Sequence, residues 1–159
     1  MKFLAIFLIL FASSSFAYLK GKGEDLSISV SFELYSFIEV IGRDISCFLT
    51  PISSICDAYS SPLLKRLDFF DNVKASGVEA AYLSLQKRVS LPPRAREIFK
   101  SFFSKVGRGY LRDELELIKG TLSELAPILS AEKERVKKEK TLTLTLSSAF
   151  SVGLVILLI

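Results

Sequence analysis

The sequence contains no histidine and no tryptophan, and only one methionine. Without histidine it lacks the commonest general base, the usual zinc ligand and the one side chain whose charge changes near neutral pH. Two cysteines, Cys47 and Cys56, are too few for a disulfide framework, and no histidine stands by to activate either as a nucleophile. They read as reduced thiols on helical faces. The pair Gly107-x-Gly109 follows a helical pattern rather than a strand, so it makes no phosphate loop. Asp57, Asp68 and Asp71 have no metal-ligand spacing. Asp113, Glu114 and Glu116 sit in the first turns of a helical pattern, where carboxylates favour the positive end of the helix dipole. The serines at 13–15 and 53–54 lie in no nucleophile elbow. These absences argue against an enzyme, a cofactor, a bound metal or a small-molecule substrate.

Two long apolar runs stand out against that background. Thr141 to Ile159, TLTLTLSSAFSVGLVILLI, carries no charged side chain. At about 1.5 Å per residue it spans roughly 28 Å, the thickness of a bilayer's hydrocarbon core. Its hydroxyls need not forbid burial in lipid, because a helical Ser or Thr bonds back to the carbonyl one turn earlier. A buried helix of a soluble domain is the competing reading. Phe3 to Leu19 is the second run, with Lys2 before it and Lys20 and Lys22 after it. The expected organisation is a transmembrane segment over 1–22, a helical domain over 23–140 and a transmembrane helix over 141–159.

Charge chooses a topology. Lys133, Arg135, Lys137, Lys138 and Lys140 flank the second run, and Lys20 and Lys22 flank the first. If both runs span, these flanks face one compartment, and the positive-inside tendency puts the domain between them in the cytoplasm. The basic run then meets anionic lipid head groups rather than nucleic acid. The alternative is a signal peptide cleaved at Ser15-Phe16-Ala17, which would make the domain secreted or surface-tethered with Tyr18 as its first residue.

Between the runs the apolar residues recur at helical spacing. After a flexible exit at Gly21-Lys22-Gly23, a stripe of Leu26, Val30, Leu34, Phe37, Ile38, Ile41, Ile45, Phe48 and Leu49 predicts one long helix. Thr50-Pro51 and Ser61-Pro62 each pair an N-cap with a proline at the first helical position. The second of these opens a helix through Leu63, Leu64, Leu67 and Phe70. Ser76 and Glu79 have capping-box spacing ahead of Val78, Ala81, Tyr82, Leu85 and Val89. Leu91-Pro92-Pro93 breaks the chain before Ile98, Phe99, Phe102, Phe103 and Val106, and Gly107-Arg108-Gly109 ends that helix. Leu111, Leu115, Ile118, Leu122, Leu125 and Leu129 then form a packing seam, on this domain's own helices or on a second protein. Pro127 is a candidate kink. The fold class is therefore all-α, a small helical bundle tethered by N- and C-terminal transmembrane helices.

Arg94, Arg96, Lys100, Lys105, Arg108 and Arg112 cluster along one helix and its following turn. They suit an acidic partner, the membrane surface or plain solvation. The nearby Phe99, Phe102 and Phe103 fit a core stripe better than a base-stacking platform, so no nucleic acid is expected.

Over nearly its whole length, and in the order of its parts, the chain resembles the stage III sporulation protein AB family. The likeness rests on Asp44-Ile45, Thr50-Pro51-Ile52, the turn from Val106-Gly107 into a long helix, and the basic run and anchor from Glu134 to Ile159 ending VGLVILLI. The chain departs from the family at the turn, which reads Gly107-Arg108-Gly109-Tyr110 where a polar Ser/Thr-Asp usually follows the glycine. The resemblance implies a membrane component of a secretion-like apparatus between mother cell and forespore, in the mother-cell membrane around the forespore. It implies a helical domain similar to those of the type II secretion platform. The partners it implies are other stage III sporulation membrane proteins and the stage III sporulation protein AA, a secretion-type ATPase.

Overall fold

Among the described residues seven α-helices carry the fold: α1 (Lys2–Phe48), α2 (Ile52–Ala58), α3 (Pro62–Arg66), α4 (Phe69–Ser76), α5 (Val78–Arg88), α6 (Pro93–Lys105) and α7 (Leu111–Leu158). The computed structural model describes the backbone of residues 2–48 and 51–158, and the side chains of 22–48, 51–52, 54–143, 145–146 and 149. The expected all-α class holds, with no strand among these residues. The chain divides into two compact units, one of Ser27–Glu132 and one of Met1–Leu26 with Lys133–Ile159.

The first unit is a helical body. From α1 it buries Val30, Leu34, Phe37, Ile38 and Ile41, five members of the predicted stripe. Phe37 meets Phe69 and Phe70 of α4 at 5.8 Å each and Tyr59 at 5.3 Å. Phe69 continues the chain of rings to Phe103 of α6, which stacks on Tyr82 of α5 at 5.0 Å. Each such pair adds about 0.5–1.5 kcal/mol beyond the area it buries. The Tyr82 hydroxyl donates to the Arg96 carbonyl at 2.8 Å, which gives its polar tip a partner inside the core. Gly42 of α1 lies against Ile118 of α7, where a Cβ would meet the Ile118 Cγ2 at 2.8 Å.

Several local expectations need correction. Gly21-Lys22-Gly23 is not a loose exit, because α1 runs through it unbroken. Helix propagation from both sides outweighs a cost of about 1 kcal/mol per glycine. The helix expected from Pro62 to Phe70 splits at Asp68, whose φ of 57° is left-handed. Aspartate tolerates that region, and Arg88 holds the break by donating to the Leu67 carbonyl at 3.2 Å and to Asp68 Oδ2 at 2.7 Å. Ser61 caps α3 as expected, accepting from the Leu64 amide at 3.2 Å. The Ser76–Glu79 capping box does not form. Ser76 ends α4, Gly77 (φ 85°) starts α5 without a side-chain cap, and Glu79 pairs with Arg108 instead. At α2 the cap position is Pro51 itself; Leu49 and Thr50 lie outside the described residues. Leu115, Leu122 and Ile98 are only half-buried, Phe48 and Leu111 are exposed, and α7 continues past Pro127 as one helix.

In the second unit Lys140 of α7 pairs with Asp25 of α1 at 2.8 Å, and Arg135 pairs with Glu139 at 2.6 Å. The Thr141 hydroxyl donates to the Lys137 carbonyl at 3.0 Å, and that of Thr145 to the Thr141 carbonyl at 2.9 Å. Leu142 and Leu146, one turn apart, are 60 % and 68 % exposed. Among the described residues no helix is long and apolar enough to cross a membrane. The side chains of Phe3 to Leu19, those of Ser15, Phe16 and Ala17 among them, and the side chains of residues 150–159 lie outside the described residues.

Candidate functional site

The cysteines are both free, Cys47 exposed and Cys56 buried. Burial, reinforced by the neighbouring Asp57, pushes the Cys56 thiol up to about 11, so at neutral pH it is a packed apolar group and no nucleophile. Burial likewise holds the Tyr82 phenol protonated far above its usual range. Among the described residues no cluster of Cys, Asp and Glu could hold a metal ion.

The six basic residues of α6 and its turn do not form one patch. Arg94 and Lys105 are eleven residues apart, about three turns, and share one exposed stripe with Ser101. Arg96 and Lys100 lie on another flank of the helix. Half the set is committed within the body: Arg96 pairs with Glu97 at 3.6 Å, Arg108 with Glu79 at 2.7 Å and Arg112 with Glu116 at 3.6 Å. All these pairs are exposed, where such contacts contribute about 0–1 kcal/mol, so they orient side chains rather than hold the fold.

The turn between α6 and α7 is a constrained surface feature. Gly107, at φ 81°, ends α6 in the left-handed region, where its position against Ile52 leaves a Cβ only 3.2 Å of room. Glu114, in the first turns of α7, is 6 % exposed. Its Oε1 accepts from the Arg108 amide at 3.0 Å and the Gly109 amide at 2.8 Å. Charge-assisted bonds of this kind are worth about 1.5–3 kcal/mol each. Its Oε2 is buried and has no hydrogen-bond partner. The sequence offered only a helix-dipole role for this carboxylate; its use as a clamp on the preceding turn depends on a backbone conformation that residue types alone do not announce.

The basic run beside the C-terminal apolar segment is placed on α7. Lys133, Arg135, Lys137, Lys138 and Lys140 are all exposed there, with Val136 buried among them. The exposed Leu142 and Leu146 follow directly.

The family model for stage III sporulation protein AB matches residues 2–159. The chain belongs to the stage III sporulation protein AB family. The match spans both apolar ends of this stage III sporulation protein as well as its helical body. No curated protein and no solved structure matches the chain.

Proposed function

We propose that this family member is a non-enzymatic membrane scaffold of a secretion-like channel between mother cell and forespore, its helical body in the cytoplasm docking a secretion-type ATPase. The observation that carries the sporulation role is the family match over 2–159. Membrane tethering is supported by the second unit, which is built from both chain ends together. In it the Thr141 and Thr145 hydroxyls are satisfied by their own helix, and the exposed Leu142 and Leu146 follow a lysine-rich turn. Hydrocarbon tolerates that pattern, because the Thr141 and Thr145 hydroxyls each bond to a carbonyl one turn back. The Lys140–Asp25 pair sets the basic ends of the two runs side by side, as a hairpin with both inner flanks in one compartment requires.

Cys47 serves as the reporter of topology. An impermeant maleimide should leave it unmodified in intact cells and label it once they are permeabilised, with Cys56 reacting only after denaturation. Labelling of Cys47 in intact cells would overturn the cytoplasmic assignment. An intact mass that starts at Tyr18 would replace it with the secreted alternative.

A further inference from the structure

The outer faces of α6 and of the first turns of α7 repeat one pattern with opposite charge. On α6, Arg94, Ile98, Ser101 and Lys105 stand at steps of four, three and four. On α7, Asp113, Leu117, Gly120 and Glu124 stand at the same steps. Eleven residues make about three turns, so each set lies in one line roughly 16 Å long. In both lines the two charged ends and the small third residue are exposed, and the apolar second residue is half-buried at the line's edge. The charge bias extends over each segment, with four bases to one acid in 93–105 and four acids to one base in 113–124.

The two lines do not meet within the chain. Arg94, Lys105, Asp113 and Glu124 make no ion pair or hydrogen bond among the described residues. The charges beside them are engaged on their own helices, Arg96 by Glu97 and Arg112 by Glu116, and Lys100 and Lys119 stand about a third of a turn away. A Cβ on Gly120 would meet nothing within 4 Å, so the middle of the acidic line is open to close approach by another helix. The basic line is rigidly presented, because α6 buries Ala95, Phe99, Phe102 and Phe103 on its inner side. Those buried rings leave α6 without an exposed apolar face for lipid or a stacking platform for bases. We infer that the α6 line of one copy packs against the α7 line of a second copy, Arg94 and Lys105 facing Asp113 and Glu124. Equal spacing lets both ends pair whichever way the helices run. The two lines are different surfaces, so the contact is heterologous and joins copies head to tail. The inference goes beyond the scaffold reading and takes from it only a shared membrane, which raises the effective concentration of the copies.

The test uses the full-length protein with Cys47→Ser, made as two differently tagged copies, one carrying Ser101→Cys and the other Gly120→Cys. Isolated membranes are treated with a short bis-maleimide; the buried Cys56 stays unreactive. The expected product is a dimer that joins the two tags, in clear excess over dimers formed when both copies carry the same cysteine. Arg94→Glu with Lys105→Glu in the Ser101→Cys copy should lower its yield about fivefold or more. Adding Asp113→Lys with Glu124→Lys to the other copy should restore it, which a folding defect cannot do. No mixed dimer, same-site dimers in equal yield, a yield indifferent to the reversal, or a reversal that the second pair fails to rescue would each overturn the inference. Protein recovered in the soluble fraction would remove the tethering, and the same crosslink would still decide the pairing. A rescued crosslink without ATPase binding would uphold the pairing and remove the ATPase from the proposed function. ATPase binding by a body that gives no crosslink would do the reverse.

Discussion

Gly42→Ala and Gly120→Ala make the same chemical change inside two helices, yet the structure assigns them opposite signs. At Gly42 the new Cβ would stand 2.8 Å from the Ile118 Cγ2, whereas at Gly120 it would meet nothing within 4 Å. Carbon atoms prefer about 3.5–4.0 Å, so close to 1 Å of overlap must be relieved at Gly42. Ile118 cannot swing away, since it is β-branched, rotamer-restricted in a helix and buried. The relief must come from separating α1 and α7, at a cost of about 1–3 kcal/mol for overpacking. Both variants gain the same ~1 kcal/mol of helix propensity, which cancels in the comparison. Gly120→Ala should thus melt above the parent and Gly42→Ala at or below it. The gap of about 1–3 kcal/mol corresponds to roughly 4–12 °C for a body of this size. Thermal unfolding followed by circular dichroism reads both values. A Gly42→Ala protein as stable as Gly120→Ala would refute the close approach of the two helices. Adding Ile118→Ala should show coupling, because the small side chain makes room for the new methyl; strict additivity would count against the contact.

Other expectations follow from single features. Asp68→Val should destabilise by about 1–3 kcal/mol in urea unfolding and Asp68→Gly by less, because a β-branched residue is penalised at φ 57°. Folding raises the Cys56 thiol from 9.0 to about 11, so its contribution is complete below pH 9 and is lost as pH rises through 11. Cys56→Ala should therefore show a shallower loss of stability across that window, although it is less stable at neutral pH; an unchanged slope would deny the burial. Leu142→Lys with Leu146→Lys should release the protein from membranes on alkaline extraction, whereas Thr141→Val with Thr145→Val should leave it retained, since those hydroxyls bond to carbonyls of their own helix.

Where apolar spacing was strict, the sequence foretold the body well. Val30, Leu34, Phe37, Ile38 and Ile41 are buried as their periodicity requires, and the prolines at 62 and 93 start helices. The misses arise where a local signal competes with a distant partner. Glu79 has capping-box spacing from Ser76, but the Arg108 guanidinium, 29 residues on, takes its carboxylate. Asp68 looked like one more helical residue because the Arg88 contact that stabilises its left-handed turn comes from another helix. The basic residues of α6 looked like one cluster because sequence proximity hides which side of a helix each occupies and which carboxylates already hold it. The clamp by Glu114 was equally hidden, since nothing in its residue type distinguishes an end-of-helix carboxylate in solvent from one folded back on the turn before it.

The ring contacts that link Phe37, Phe69, Phe103 and Tyr82 tie α1, α4, α5 and α6 through shared side chains rather than separate pairs. No one of these helices can peel off without breaking stacks that its neighbours also use. Melting of the body should accordingly be a single event. With no tryptophan to compete, the near-ultraviolet signal of the tyrosines and the far-ultraviolet signal of the helices should fade over the same few degrees.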